Sequence, residues 1–388
     1  DLSGNTVSGN RAEVTGGGLF VRNSSGEMRE DTIEANLGFR AGGAAIVEGD
    51  MAILDNQILS NQVNEQGGGI MIDADSTFRG NTVSFNRSGF RGGGIVVDEH
   101  APLLEDNIIT ENISGNDGGG TFLFLSEASF INNLVQDNVA GDDAGGLRLL
   151  GSQGTVIGNR FIGNHAASDG GAIKTSHNRS VFRDNLFENN IADDEGGGLE
   201  LDDDHSEVKH NIFRGNTARR GGGIHGAEIG IPFTIENCLI VDNVATLTGG
   251  GIHLEQNGAK GTLSFLTIAN NSAQSGTAIF FEDVDGDVEN SMLVEEVPSG
   301  ISLVRATGTS TQEFEFTNAS PQFFLGITDP TGSAGNTADD AVFVDSANGN
   351  YQLDTGSAGI DTADPALQDP DGTRADMGAF GGPGAMQP

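Results

Sequence analysis

The chain has 388 residues, with 56 Asp plus Glu against 19 Lys plus Arg and a formal net charge of −37. That balance argues against nucleic acid and anionic membrane surfaces as partners and leaves cations, neutral glycans and proteins. One cysteine, Cys238, excludes an intramolecular disulfide frame, and with no apolar run of about 18 residues no transmembrane segment of the helical kind is expected.

From the N-terminus the repeat is already running at Asn5, so residues 1 to 4 leave no room for a capping helix and the first coil is expected to be open, inviting end-to-end stacking. Glycine clusters then recur at Gly16 to Gly18, Gly42-Gly43, Gly67 to Gly69, Gly92 to Gly94, Gly118 to Gly120, Gly145-Gly146, Gly170-Gly171, Gly196 to Gly198, Gly221 to Gly223 and Gly249 to Gly251, with Gly276 in a degenerate eleventh copy. Copies are 25 to 28 residues apart, too short for a propeller blade and without the period of a helical solenoid. The expected fold is all-β: a right-handed parallel β-helix of about eleven coils over residues 1–290, followed by a C-terminal β-rich cap over 291–388.

A column of asparagines keeps the same period: Asn10, Asn36, Asn61, Asn86, Asn112, Asn138, Asn164, Asn190, Asn216, Asn243 and Asn271. Five residues earlier runs a second column, from Asn5, Asp31 and Asn56 to Asn211, which lapses at Cys238 and Leu266. Asparagine tolerates the left-handed backbone of a tight bend, and its amide bonds to the same amide one coil away, so both columns are read as structural ladders. Two residues after the second column the side chain is always apolar, from Val7 and Ile33 to Phe161, Phe187, Phe213 and Ile268; these face inward and stack along the axis, the phenylalanines as an aromatic stack. At roughly 4.8 Å per coil, the repeats extend on the order of 50 Å.

After each glycine cluster comes a strand whose first residue is expected to point inward and whose second points out. The outward file reads Phe20, Ile46, Met71, Val96 and Phe122, then Arg148, Lys174, Glu200, His225 and His253. Its first half is expected to be an exposed apolar ridge for a protein contact. The second half offers cations to neutralise a uronate and a base with a lowered pKa, the requirements of a polysaccharide lyase. Mixed charge of this kind is also what a solvated sheet face looks like.

Further along, Asp202-Asp203-Asp204-His205 and the Asp283, Asp285, Asp287 run offer oxygens for calcium, although the latter lacks the glycine and distant glutamate of an EF-hand loop. In the tail, Asp369-x-Asp371-Gly372 suits a tight turn whose aspartates cap backbone N–H groups, with Arg374 expected to pair with one of those acids.

Gly170-Gly171-Ala172-Ile173, with Phe-x-x-Asn at Phe161 to Asn164, Phe187 to Asn190 and Phe213 to Asn216, resembles the repeats of polymorphic outer-membrane proteins. The tail, with Ser357-Ala358-Gly359-Ile360-Asp361, Asp371-Gly372-x-Arg374 and Asp376-Met377-Gly378-Ala379-Phe380, resembles the C-terminal signature of choice-of-anchor surface proteins. It departs from that signature at Gly359 and Gly381. Both resemblances imply export and shape and leave activity open. The expected function is therefore non-enzymatic, in adhesion or self-assembly outside the cell or at its surface. No cofactor is required, calcium is the candidate ion, and the partner is a second copy, a cell-surface glycan or a protein. The alternative is a polysaccharide lyase or glycoside hydrolase working through Lys174, Arg148, Glu200, His225 and His253.

Overall fold

The structure, a computed structural model, describes residues 1–228, 233–309, 311–320 and 323–386, and for residues 256–260 the backbone only. The chain divides into two units, Asp1–Glu200 and Leu201–Pro388. One coil of the first unit shows the plan. Ile95–Asp98 and Leu103–Glu105 lie in sheet A, Ile108–Thr110 in sheet B and Ile113–Ser114 in sheet C. Each pairs in parallel with its copy one coil on: Ile95 with Thr121, Leu103 with Ser129, Ile108 with Leu134 and Ile113 with Val139. Counted on sheet B, the first unit has eight coils, from Thr6–Ser8 to Leu186–Glu188, and the second has five, from Ile212–Arg214 to Asn318–Ser320.

The bends between strands depend on the asparagine columns. Asn112 is fully buried, and its Oδ1 accepts the backbone N–H and the side-chain N–H of Asn86, at 3.1 and 3.0 Å. Its Nδ2 donates to Asn138 Oδ1 at 3.0 Å and to the Val83 carbonyl at 2.9 Å. Two acceptor sites and two donors are all that a primary amide has, so the buried group is fully satisfied. The same pattern recurs in the second column, where Asn107 donates to Asn133 Oδ1 and to the Phe78 carbonyl. Where that column lapses, Asn211 N–H still points at Cys238 Sγ, 3.5 Å away, and Leu266 N–H donates to Ser291 Oγ.

The left-handed backbone does not fall on the asparagines. It falls one residue earlier, at Ser60, Phe85, Glu111 and Asp137 before the first column and at Asp55, Asp106 and Asn132 before the second, all with φ between +53° and +59°. The ladder asparagine turns its amide inward, while the residue before it makes the bend and faces out. A third ladder not expected from sequence joins Ser126 N–H to Ser152 Oγ and Ser152 N–H to Asn178 Oδ1.

Inside, Ile33, Ile58, Val83, Ile109, Val135, Phe161 and Phe187 are fully buried. Phe161 and Phe187 stack with centroids 5.3 Å apart and ring planes 9° apart, and Phe213 is fully buried in the second unit. The glycine clusters mark the tightest packing between coils. Gly118 has φ +65°, and a Cβ on Gly119 would lie 2.5 Å from the Gly145 carbonyl oxygen.

Parallel pairing continues past residue 290, with Thr267–Ala269 joined to Met292–Val294 and that strand to Asn318–Ser320. The tail beyond is mostly loop, with one antiparallel hairpin of Phe343–Asp345 and Asn350–Leu353. It lies against the outer face of sheet B in the second unit, where Phe343, Tyr351, Ala363, Ala375, Met377 and Ala379 pack on Leu239, Val241, Phe265, Ala269, Met292 and Val294. Its aspartates cap backbone groups: Asp369 accepts from Asp376 and Gly382 N–H, and Asp371 from Thr373. Arg374 does not pair with an acid; its guanidinium donates to the Thr362 and Ala363 carbonyls.

Replacing Asn112 with Ala strands buried groups in the coils before and after it. The expected loss is about 3 kcal/mol or more, read as a lower denaturant midpoint, whereas Ser60→Gly at an outward bend is expected to be neutral or mildly stabilising.

Candidate functional site

In the first unit the strand register aligns Phe20, Ala45, Met71, Val96, Phe122, Arg148 and Lys174 in one file. The file holds Ala45 where sequence suggested Ile46, which lies in the core with no exposure. The second cluster is really Ala41-Gly42-Gly43, with Ala41 taking the positive-φ position at +51°, so the count shifts by one residue.

The apolar ridge is outward but not exposed. Met71, Val96 and Phe122 are 8%, 2% and 2% exposed, and only Phe20, at 50%, reaches solvent. Residues in or just before the glycine turns cover the file. Ala41 joins the cluster with Ala45, Met71, Val96 and Phe122, and the Arg91 guanidinium sits 4.8 Å from the Phe122 ring centroid. The ridge is thus a second, narrow core and not a contact surface.

The same cover closes the cationic part of the file. Lys174 Nζ lies 3.0 Å from Asp143 and 2.7 Å from Asp169, two acids that stand just before the glycine turns of the preceding coil and of its own. These carboxylates outweigh the desolvation that favours the neutral amine, so Lys174 is held protonated well above the usual lysine range. Arg148 is folded back onto the Leu149 and Lys174 carbonyls and Ser176 Oγ, and Glu200 is 2% exposed. Arg148 and Lys174 are thus tied to each other and to neighbouring acids. Lys174→Ala, which leaves two mostly buried carboxylates without their counter-charge, is expected to cost about 3 kcal/mol in a denaturant titration.

In the second unit the corresponding file is His225, His253 and Phe280. Both histidines are fully buried, with ring centroids 4.9 Å apart in an edge-to-face contact. His253 Nδ1 meets Thr248 Oγ1 at 3.0 Å, and Thr248 is again the residue before a glycine turn. Desolvation, with smaller contributions from His225 and Arg220, lowers the His253 pKa from 6.5 to about 2. The unfolded chain therefore binds a proton that the folded chain refuses. Stability is complete above pH 6.5 and falls as pH drops toward 2, by up to about 1.4 kcal/mol per pH unit. His253→Phe is expected to remove that share of the acid slope in denaturant midpoints taken between pH 7 and 4.

The calcium candidates do not converge. Asp283, Asp285 and Asp287 lie in the strand Ile279–Glu289, and among the described residues no cluster of three ligand atoms includes them. Asp283 and Asp285 accept the backbone N–H of Thr309 and Thr311 one coil on. Asp204 is fully buried and caps Ser206 N–H at 2.5 Å. Burial pushes the Cys238 thiol up to about 12, so it is inert.

The open surface lies elsewhere, on sheet C of the first unit. Its outward residues Arg87, Ile113 and Val139 floor a shallow trough of about 700 Å³, walled by Phe85, Glu111 and Asp137. The wall residues are bend residues, with φ of +59°, +55° and +53°. A phenylalanine there is unusual, because a bulky side chain in the left-handed region is strained. Among the described residues three phenylalanines sit in such bends: Phe85, Phe265 and Phe316. Phe265 and Phe316 lie under the chain's own tail, and a Cβ on Gly382 would come within 2.5 Å of the Phe265 ring. Phe85 is 54% exposed. Sequence gave no sign of this, since nothing in the pattern marks which bend residue is aromatic by need.

Residues 112–273 and, in an overlapping placement, 145–319 match the model of the right handed beta helix region, together more than half of the chain. Residues 1–166 match the model of the periplasmic copper-binding protein NosD. Among solved structures, pectate lyase Pel9A aligns over 89% of each chain at 13% identity with a TM-score of 0.38, a likeness too slight to bear on the site. No curated protein matches the chain. The segment similar to NosD has two histidines, each facing one aspartate: His100 Nδ1 lies 3.1 Å from Asp73 and His165 Nε2 lies 3.0 Å from Asp193. Among the described residues no group of three His, Cys, Asp or Glu ligand atoms falls within it.

Proposed function

The chain belongs to the right-handed β-helix family, and we propose that it is a non-enzymatic member working outside the cytoplasm in adhesion or self-assembly, with the sheet C trough of its first unit as the contact. A family of this kind supplies a scaffold, so function is argued from the surface. The observation that carries the reading is Phe85. In this chain the other two strained bend phenylalanines are anchors onto which a polypeptide segment docks, and Phe85 offers the same anchor without a segment of this unit over it. Arg87, Glu111 and Asp137 around it supply the few polar groups that orient a ligand on an otherwise apolar floor. The similarity of residues 1–166 to a periplasmic family supports export.

Lyase or hydrolase action, the alternative, has less support. Lys174 is fixed as a cation, Arg148 and Glu200 are buried, and a charge of −37 repels polyuronates. The test is the mass of the protein in solution with electron microscopy, for wild type and for Phe85→Ala. Defined oligomers or fibres that Phe85→Ala weakens at least tenfold are expected. A monodisperse monomer that depolymerises a panel of alginate, pectin or neutral glycans would overturn the reading.

A further inference from the structure

The histidine pair of the second unit is the strongest chemistry-bearing cluster outside that trough. Strand register places His225 beside His253 and Glu255 beside Glu282, and strand alternation puts His253 and Glu255 on the same face. One ligand atom each from His225, His253 and Glu255 lie within 4.8 Å of one another. His253 Nε2 is buried with no hydrogen-bond partner, although carboxylate oxygens of Glu282 and Glu255 stand 3.5 and 3.9 Å away. A buried polar atom left unmade costs about 1–3 kcal/mol, and packing alone would be served better by the phenylalanine that follows in the same file, Phe280.

We propose that His225, His253 and Glu255 form a binding site for a borderline divalent cation of the zinc class, held by two imidazoles and one carboxylate, with Glu282 at its solvent side. The donor set is that of such metals and not of calcium or magnesium, which take oxygen ligands. Tetrahedral zinc with bonds of ~2.0–2.1 Å spaces its ligands ~3.3 Å apart, so the three groups close on the ion by a small rotation, led by Glu255. Entry is from the carboxylate side, where the Glu255 side chain is 14% exposed and that of Glu282 46%. Arg220 Nη1, 3.8 Å from Glu255 Oε2, is the cation that the ion displaces.

The experiment is calorimetric titration of the chelator-treated full chain with Zn²⁺, with Co²⁺ absorption as a report on coordination geometry. One saturable site per chain is expected, weakened at least ~100-fold in His253→Phe, unchanged in His165→Ala, and accompanied by a rise in the thermal midpoint of wild type and of His165→Ala but not of His253→Phe. His253→Phe extends the aromatic file and is expected to fold; if it does not, Glu255→Gln decides by the same criterion. Binding that survives both substitutions, or no saturable one-to-one binding by wild type, overturns the proposal.

Discussion

A buried primary amide carries two donors and two acceptor sites, and in this chain one asparagine fills all four by stacking on copies of itself. That demand governs the coil. To accept from Asn86 and donate to Asn138, Asn112 must lie at strand spacing from both, which fixes the register of sheets B and C on either side of it. Turning the amide inward forces the bend onto the preceding residue, and the inward apolar columns then fall into line. Hydrophobic burial supplies most of the driving force, but it is indifferent to a slip of one coil position; an unsatisfied amide is not.

How much of this was legible in sequence follows from what repeats. The asparagine, glycine and inward apolar columns were readable because each is a residue type recurring at one spacing. Ile46 was misplaced because Ala41 stands in for a glycine at a positive-φ position, and spacing counted from glycine alone cannot see the substitution. Met71, Val96 and Phe122 share one file with Phe20, yet only Phe20 is exposed. Whether an outward side chain meets solvent depends on the residue that a glycine turn lays over it, such as Arg91 on Phe122 or Asp143 on Lys174.

That cover also explains how one file can run from apolar to charged residues with most of its side chains away from solvent. Beneath the turn, Met71 and Val96 pack as a strip of core, while Lys174 finds carboxylates that hold its charge. In the second unit the same place holds imidazoles, and there the carboxylates Glu255 and Glu282 stand toward solvent. One local geometry thus yields an apolar strip, an ion cluster or a group of ligands, according to the few residues placed in it.

The bend residue has no such obligations. Ala35, Ser60, Phe85, Glu111 and Asp137 occupy equivalent corners with nearly the same backbone angle, and the bonds that stabilise each corner belong to the asparagine that follows. Those corners can therefore be rewritten one coil at a time without disturbing the scaffold. A lineage of such proteins can drift through many binding preferences while its architecture stays still, as a row of interchangeable type is reset on a fixed frame.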